Sequence, residues 1–426
     1  MFRRFHFNLA VPILFLASLV ASGSASPPFA QQQLRWKSNK IRLAVSGSVT
    51  ALNPNIKYGS DVLGAVRRSF EAWKNVVDLE FVVEASKKEN VSGAGRAGDG
   101  VSLITIAATP ENVRLFGGSD SSLAAKTRVF FDTKGQITEA DIVLNPYQQF
   151  SVDGTYGTFD LETTLRHEIG HLLGLRHSNV IGSVMYHNSP RNGVYGSFES
   201  SAAGIAYDDV AAIRDLYPSV DESKCCASLN GRITGFPRAA GSFEFWAEDV
   251  SSGLVSAHSY SSRDGQFRFG GLSDGNYRIF GRFLSKSGYW SILDLGEAAL
   301  SANETSQISR KAARQSRDFS LSVLGINGIL GDATVPLKVG GISTVYVGGI
   351  GISADTINFR FNSPYISVVP DSTESVDYGE GITVLRFQVN VNPEAPLGIY
   401  SVFGVKEDGS VDSLVGGITL TDNKRN

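Results

Sequence analysis

The sequence predicts an α+β domain followed by two all-β domains, and three observations lead to this fold class. The chain has 426 residues, which at roughly 150 residues per domain suggests about three domains. In its first half, strand-like segments are interspersed with amphipathic helical segments. From about residue 228 onward, short β-rich segments recur between turn signals and helical periodicity is absent. We therefore expect an α+β domain over residues 35–219 and all-β sandwich domains over residues 227–318 and 319–424.

Two kinds of periodicity predict the elements of the first domain. An apolar stripe that includes Val66, Phe70 and Trp73 has helical spacing and predicts a helix over residues 60–76. Asp160 is a candidate N-cap for a second helix. The other expected elements are a helix over residues 207–217 and strands over residues 41–45, 79–83, 102–107, 127–131 and 140–144.

Short β-branched and aromatic segments predict the strands of the second half of the chain. A cluster of basic and polar residues at 310–317 indicates the boundary between its two domains. Strands are expected at residues 232–233, 243–246, 265–269 and 277–280, and then at residues 343–347, 356–361, 383–387 and 398–402.

Residues 1–25 have the features of a cleavable secretory signal peptide. Arg3 and Arg4 give a positive start, an apolar run follows over Leu9–Ala21, and small residues precede a cut near Ala25. A membrane anchor is the weaker alternative, because the apolar run is shorter than the ~20 residues needed to span a bilayer. The sequence therefore predicts a secreted, extracellular protein with no membrane association after the signal is removed.

Charge and cysteine content narrow the range of partners. The formal net charge of −3 is mildly acidic, which argues against nucleic acid or an anionic membrane surface as a partner.

The two cysteines, Cys225 and Cys226, are adjacent. They could form a strained disulfide with each other, remain free thiols or bond to another chain, and we expect no functional role for them. We expect a monomer that is stabilised mainly by core burial.

A cluster of three histidines carries the functional prediction. His167 and His171 are four residues apart, so on a helix both imidazoles can reach one metal ion. Gly174 can adopt the left-handed conformation that ends the helix and turns His177 back as a third ligand. Three protein ligands leave one position for water, which is typical of a catalytic zinc. Glu168 is placed to take a proton from that water.

The alternative is that these histidines bind no metal, since a bare H-E-x-x-H occurs by chance in many chains. The chain has six histidines, and half of them fall within residues 167–177. Gly174 and His177 follow at fixed offsets, which makes the pattern far more specific. The sequence therefore favours zinc-dependent hydrolysis of peptide bonds.

Residues 35–219 resemble the catalytic domain of the matrixins, within the metzincin group of zinc proteases. The motif HExxHxxGxxH carries the resemblance, together with Met185 in a segment similar to the Met-turn of that group. Ser178 after the third histidine and Tyr186 after the methionine favour matrixins over other branches. In another metzincin branch, Tyr186 or His187 would bind the metal.

The resemblance implies one catalytic zinc ion, protein or peptide substrates and Glu168 as the general base. It also implies that Asp208 and Asp209 stabilise the Met-turn. Within this scheme, residues 140–144 are expected to form an edge strand that pairs with an extended substrate. Residues 186–198 are expected to form the wall of the specificity pocket.

Further metal sites receive less support from the sequence. Asp132, Asp141 and Asp153 are candidate calcium ligands, although the chain has few segments rich in aspartate. Many matrixins hold a structural zinc through histidines upstream of the motif. This chain has no histidine between His6 and His167, so we do not expect a second zinc of that kind.

The β-rich half leaves an alternative function open. Residues 228–285 weakly resemble the prealbumin-like domains next to secreted peptidases, and residues 321–422 resemble an immunoglobulin-like domain. These domains would suit a secreted adhesin or binding protein with a vestigial protease domain. The intact Glu168 argues against that alternative, because a zinc site that only binds needs no general base.

Overall fold

The computed structural model describes most of the chain after the predicted signal peptide, which lies outside the described residues. The described residues are 33–94, 97–117, 122–195, 204–218, 225–235, 241–262, 264–285, 289–313, 315–379 and 381–422. No helix among them is long and apolar enough to cross a membrane.

The first domain combines one mainly parallel sheet with helices, as the sequence predicted. Its elements are β1 (Arg35–Trp36), β2 (Lys40–Ser46), α1 (Gly47–Thr50), α2 (Val62–Lys74), β3 (Glu80–Ser86), β4 (Leu103–Thr105), α3 (Pro110–Arg114), β5 (Ala125–Phe131), β6 (Gln136–Leu144), β7 (Phe150–Ser151), β8 (Phe159–Asp160), α4 (Leu161–Leu172) and α5 (Tyr207–Arg214). The sheet has the order β1-β6-β4-β2-β3, and β5 pairs antiparallel with β6.

Helices α2 and α4 pack together in the core of this domain. The Asp61 side chain accepts a hydrogen bond from the Gly64 amide at 2.9 Å and so caps α2. Val66, Phe70 and Trp73 of the predicted stripe are buried, with Trp73 fully buried, whereas Leu63 at its start is 50% exposed. The Trp73 indole donates to the Arg166 carbonyl of α4 at 3.0 Å. This contact fixes α4, which carries the histidine motif, against α2.

The predicted edge strand is wrong. Residues 140–144 belong to β6, which pairs with β1 and β4 on one side and with β5 on the other. Of the described strands, β5 and β3 form the two edges of this sheet, and β5 also lies beside α4. Apolar alternation predicts that a segment is a strand, whereas its neighbours in the sheet depend on distant segments.

The second domain is all-β, as predicted, with an aromatic core that includes Phe243, Phe245 and Phe267. Its strands are β9 (Cys225–Thr234), β10 (Gly241–Asp249), β11 (Val255–Tyr260), β12 (Gln266–Ser273), β13 (Gly275–Ser285), β14 (Tyr289–Trp290), β15 (Leu293–Leu300), β16 (Thr305–Lys311) and β17 (Ser316–Arg317). They form sheets of order β11-β10-β13-β15 and β12-β9-β16 and the pair β14-β17. Cys225 and Cys226 are disulfide-bonded to each other.

The third domain is also all-β and buries one core between two sheets. Its strands are β18 (Ser320–Ile326), β19 (Ile329–Gly331), β20 (Val335–Lys338), β21 (Ile342–Ile350), β22 (Ile357–Arg360), β23 (Ile366–Val368), β24 (Glu374–Val376), β25 (Thr383–Val391), β26 (Gly398–Lys406) and β27 (Val411–Thr421). The sheets have the orders β19-β18-β21-β25-β23, with β24 on β25, and β20-β27-β26-β22. The prealbumin-like and immunoglobulin-like resemblances of the two β domains stay predictions.

The three domains pack against one another through a shared apolar cluster. Val180 of the first domain, Trp246 of the second and Phe403 of the third belong to it, and all three are fully buried. An ion pair reaches across the two β domains. Arg282 pairs with the buried Glu244 of its own domain at 2.8 Å, and a second guanidinium nitrogen of Arg282 lies 3.9 Å from the buried Asp412 of the third domain.

Candidate metal centre and active site

Helix α4 presents two of the three motif histidines. The Asp160 side chain accepts a hydrogen bond from the Thr163 amide at 2.7 Å, which confirms the predicted N-cap. His167 and His171 follow one turn apart, with ring centroids 4.7 Å from each other. Since α4 is buried over most of its length, both imidazoles are held in place by the surrounding core.

Gly174 makes the turn that brings back the third histidine. Its φ of +99° lies in the left-handed region, which glycine adopts without steric penalty. A Cβ there would lie 2.1 Å from the Leu34 carbonyl oxygen, so no other residue fits without movement. The Leu175 amide donates to the Gly170 carbonyl at 2.9 Å and closes the helix end. The chain then reverses and places His177 beside His171.

The three histidines form a compact group that can hold a metal ion. One nitrogen from each of His167, His171 and His177 lies within 4.8 Å of the others. The Nε2 atoms of His171 and His177 are 3.1 Å apart. Tetrahedral zinc with bonds of roughly 2.1 Å separates its nitrogens by about 3.4 Å. The group therefore fits a zinc ion, and among the described residues it is the one set of three or more His, Cys, Asp or Glu side chains so placed.

Backbone carbonyls orient two of the imidazoles. His167 Nδ1 lies 2.7 Å from the Val184 carbonyl oxygen, and His171 Nδ1 lies 2.9 Å from the Leu175 carbonyl oxygen. A carbonyl only accepts, so each Nδ1 donates and carries the proton. Each Nε2 is then free of its proton, and both point into the group. Such contacts from the neighbouring shell are typical of metal-binding histidines.

Electrostatics keep His167 and His177 neutral, which is the form that binds a metal. Burial, followed by repulsion from His171 and His177, lowers the pKa of His167 well below its usual value. Desolvation, with repulsion from His171 and His187, lowers the pKa of His177 to about 4. The group is therefore ready to bind a cation at neutral pH.

Glu168 lies beside the histidines in a buried position. Burial raises the pKa of Glu168, while His171, Thr127 and Lys126 oppose that shift. The Thr127 hydroxyl, from the edge strand β5, lies 2.5 Å from Glu168 Oε2 and donates to it. A buried carboxylate with a raised pKa and a fixed orientation is suited to proton transfer. Sequence reasoning missed Thr127, because nothing local connects residues 41 positions apart.

The segment after the third histidine forms the predicted Met-turn. A Cβ on Gly170 would lie 2.3 Å from the Met185 sulfur, so the buried thioether packs directly against α4. The Asp209 carboxylate accepts hydrogen bonds from the Ser183 hydroxyl and the Val184 amide, both at 2.6 Å. This confirms that Asp209 stabilises the turn whose Val184 carbonyl orients His167.

Asp208 stabilises the start of the same segment. Its carboxylate accepts a hydrogen bond from the Ser178 hydroxyl at 2.8 Å, and Ser178 directly follows His177. The Ser178 amide in turn donates to the Met185 carbonyl at 2.8 Å. The implied structural role of Asp208 is therefore confirmed as well.

The third domain reaches the segment that follows the Met-turn, which sequence reasoning also missed. The Asn188 amide donates to the Asp332 carboxylate at 2.5 Å. The Tyr195 hydroxyl lies 3.0 Å from the Ala333 carbonyl and 3.2 Å from the Leu324 carbonyl. Residues 196–198 of the predicted pocket wall lie outside the described residues. His187 in this segment is exposed and does not join the histidine group.

The candidate calcium ligands each have other partners. Asp132 accepts hydrogen bonds from the Lys134 and Gln136 amides within its own turn. Asp141 is buried and accepts from two backbone amides at 2.9 Å. Asp153 forms an ion pair with Lys57 at 2.5 Å. Calcium binding by these residues stays a prediction.

Comparison with known proteins identifies the first domain. Residues 35–218 match the family model described as Matrixin. Metalloendoproteinase 1 of Glycine max is 27% identical over 195 residues, which cover 44% of this chain and 54% of that protein. Matrix metalloproteinase-19 of Homo sapiens is 29% identical over 203 residues, covering 45% and 33% respectively. Metalloendoproteinase 1-MMP of Arabidopsis thaliana is 30% identical over 168 residues, covering 37% and 38%.

The matches to these relatives extend over only part of each relative. The aligned region is between about a third and about half of the length of the three relatives. Among solved structures, the major pilin subunit of Bacillus cereus matches at 12% identity over 44% of this chain and 66% of that one. Its TM-score of 0.15 is too low to assign a fold to the β domains. Residues 35–218 therefore match the matrixin family, as the histidine motif predicted.

Proposed function

We propose that this protein is a zinc-dependent endopeptidase in which His167, His171 and His177 hold the metal and Glu168 is the general base. The observation that carries the proposal is the close grouping of the three histidine nitrogens, within 4.8 Å of one another, next to a buried glutamate. The lowered pKa values of His167 and His177 and the fixed position of Glu168 support it further. Matrixin relatives that are named as metalloendoproteinases agree with it.

The reaction needs a water nucleophile and a group that moves its proton. When bound, zinc supplies a Lewis acid that acidifies a water and polarises the scissile carbonyl. Glu168 takes the proton of the attacking water and passes it to the nitrogen of the leaving amine as the peptide bond breaks. Thr127 holds the Glu168 carboxylate by its hydroxyl, so the base is oriented before the substrate arrives.

The free edge of β5 offers a place for the substrate backbone. Among the described residues this strand pairs only with β6, and its Thr127 hydroxyl contacts both the carbonyl and the carboxylate of Glu168. An extended peptide can add to such an edge through main-chain hydrogen bonds. It would then pass beside the metal ligands, with residues 186–195 on the opposite wall of the cleft.

We further propose three domains, over residues 35–219, 227–318 and 319–424, after a signal peptide over residues 1–25. The predicted signal peptide supports an extracellular location. We also propose protein or peptide substrates and a monomeric chain. Nucleic acid and membrane partners do not fit its charge.

Replacement of Glu168 by alanine tests the mechanism. We expect Glu168→Ala to keep its zinc, measured by elemental analysis, and to lose the digestion of casein, which a chelator also abolishes in the native protein. Glu71→Ala is the matched control, because Glu71 is an exposed glutamate on α2. Undiminished digestion by Glu168→Ala would refute the role of Glu168. Zinc binding without any digestion by the native protein would favour the binding-protein alternative.

A further inference from the structure

The third domain contacts residues 186–195, the expected wall of the substrate cleft, and this contact carries an inference that rests on the proposed function. Residues 186–195 follow the Met-turn, and the other side of this segment faces the third domain. The carbonyl of Ala333 lies 3.0 Å from the Tyr195 hydroxyl, and Tyr195 is buried within the core cluster of the third domain. A Cβ on Gly331 would lie 3.0 Å from the same hydroxyl. The segment and the loop that joins β19 to β20 therefore pack as one unit.

Asp332 lies at the tip of this contact, between Gly331 and Ala333. Its carboxylate is exposed and accepts a hydrogen bond from Asn188 at 2.5 Å. Asn188 directly follows His187, whose ring centroid is 4.4 Å from that of Tyr186. Both Tyr186 and His187 interact electrostatically with Asp332. Two neighbouring side chains of this segment, Tyr186 and His187, are therefore within electrostatic range of the Asp332 carboxylate.

The same wall is close to the metal ligands. The Val184 carbonyl lies 2.7 Å from His167 Nδ1, and Asn188, four residues further on, contacts Asp332, so one short segment connects the metal ligands with Asp332. A substrate that crosses the metal ligands would pass this wall with one of its side chains near an exposed carboxylate. The Asp332 carboxylate would attract a positively charged substrate side chain and repel a negatively charged one.

We propose that Asp332 is a specificity-determining residue that selects peptides with a lysine or arginine beside the scissile bond. The residue belongs to the third domain, so this domain forms part of the substrate cleft. Because the carboxylate is exposed, its effect on selection is modest, and we expect a preference of about threefold, within the range of exposed ion pairs.

Paired peptides measure this preference in the full chain. Fluorogenic peptides that carry lysine or glutamine at each position flanking the scissile bond give kcat/KM ratios. We expect the native protein to prefer lysine at one position by about threefold. Asp332→Asn should lose the preference, because the amide oxygen still accepts the hydrogen bond from Asn188 while the charge is gone. Asp332→Glu should keep it, and Asp332→Lys should favour glutamate over lysine at that position.

Asp355→Asn is the matched control. Asp355 is also exposed in the third domain, but it follows β21, whose residue Ile350 pairs with Ser320 at the far end of β18. This control should keep the preference. A native protein without any preference, or an Asp332→Asn variant that keeps it, would overturn the inference. Failure to cleave every peptide would overturn the proposed function, and the inference with it.

Discussion

Removal of one hydroxyl tests whether the third domain holds the segment after the Met-turn. Tyr195→Phe keeps the aromatic ring in the core of the third domain and removes the group that reaches the carbonyls of Leu324 and Ala333. The ring is 4% exposed, and the two oxygens lie 3.2 and 3.0 Å from the hydroxyl. The change therefore perturbs this contact and little else.

The expected magnitude follows from the loss of one buried hydrogen bond. A single hydroxyl proton is shared by the two carbonyls, so the loss amounts to one bond, which contributes about 1–2 kcal/mol when its acceptor is left buried. Local opening of residues 186–195 should therefore become roughly 5–30 times more frequent.

Amide hydrogen exchange measures this opening directly. Peptides that cover residues 186–195 should exchange faster in Tyr195→Phe than in the native protein, while peptides from α2 should not change. Tyr58→Phe is the control, since Tyr58 is 86% exposed. Unchanged exchange over residues 186–195 would refute the view that the third domain stabilises this segment.

Three further predictions concern the active site and the domain contacts. Thr127→Val removes the hydroxyl that donates to Glu168, so kcat/KM should fall about tenfold while zinc content, measured in the same samples, stays unchanged. Gly174→Ala forces a φ of +99° on a residue with a Cβ, which should lower the free energy of unfolding by about 1–3 kcal/mol and weaken zinc binding in a chelator competition. Glu244→Gln should lower the free energy of unfolding in urea at pH 7 by on the order of 3 kcal/mol, and the difference should shrink towards pH 3.

The sign of the last prediction follows from the pKa of Glu244. Burial opposes its ionisation, but Arg282 and His258 outweigh burial and lower the pKa to about 2, from a usual value of 4.5. A group whose pKa is lowered in the folded state stabilises the fold at pH values above its usual pKa. This stabilisation is lost as the pH falls from 4.5 towards 2. A difference that does not vary with pH would contradict this ion pair. Zinc loss in Thr127→Val, or native stability in Gly174→Ala, would contradict the other two predictions.

The metal centre was predictable from the sequence because its geometry is local. His167 and His171 are set by helical spacing, and Gly174 sets the turn that returns His177. Each of these steps spans only a few residues, so the motif and the N-cap Asp160 determine them together. The helix and strand segments were predictable for the same reason, since periodicity within a segment decides which face is buried.

Contacts between distant segments could not be predicted in this way. The strand at residues 140–144 was expected at the edge of the sheet, but β5 pairs along its whole outer side. Thr127 reaches Glu168 only because β5 lies beside α4. Tyr195 and Asn188 reach Ala333 and Asp332 through the packing of two domains. None of these contacts leaves a pattern in the local sequence, because each depends on how separate elements assemble.

Metal analysis combined with proteolysis tests the central claim most directly. We expect one zinc ion per chain by native mass spectrometry and digestion of casein that stops when a chelator removes the metal and resumes when zinc is restored. His171→Ala should lose both the metal and the activity. Digestion of casein by zinc-free protein, or by zinc-free His171→Ala, would contradict the account.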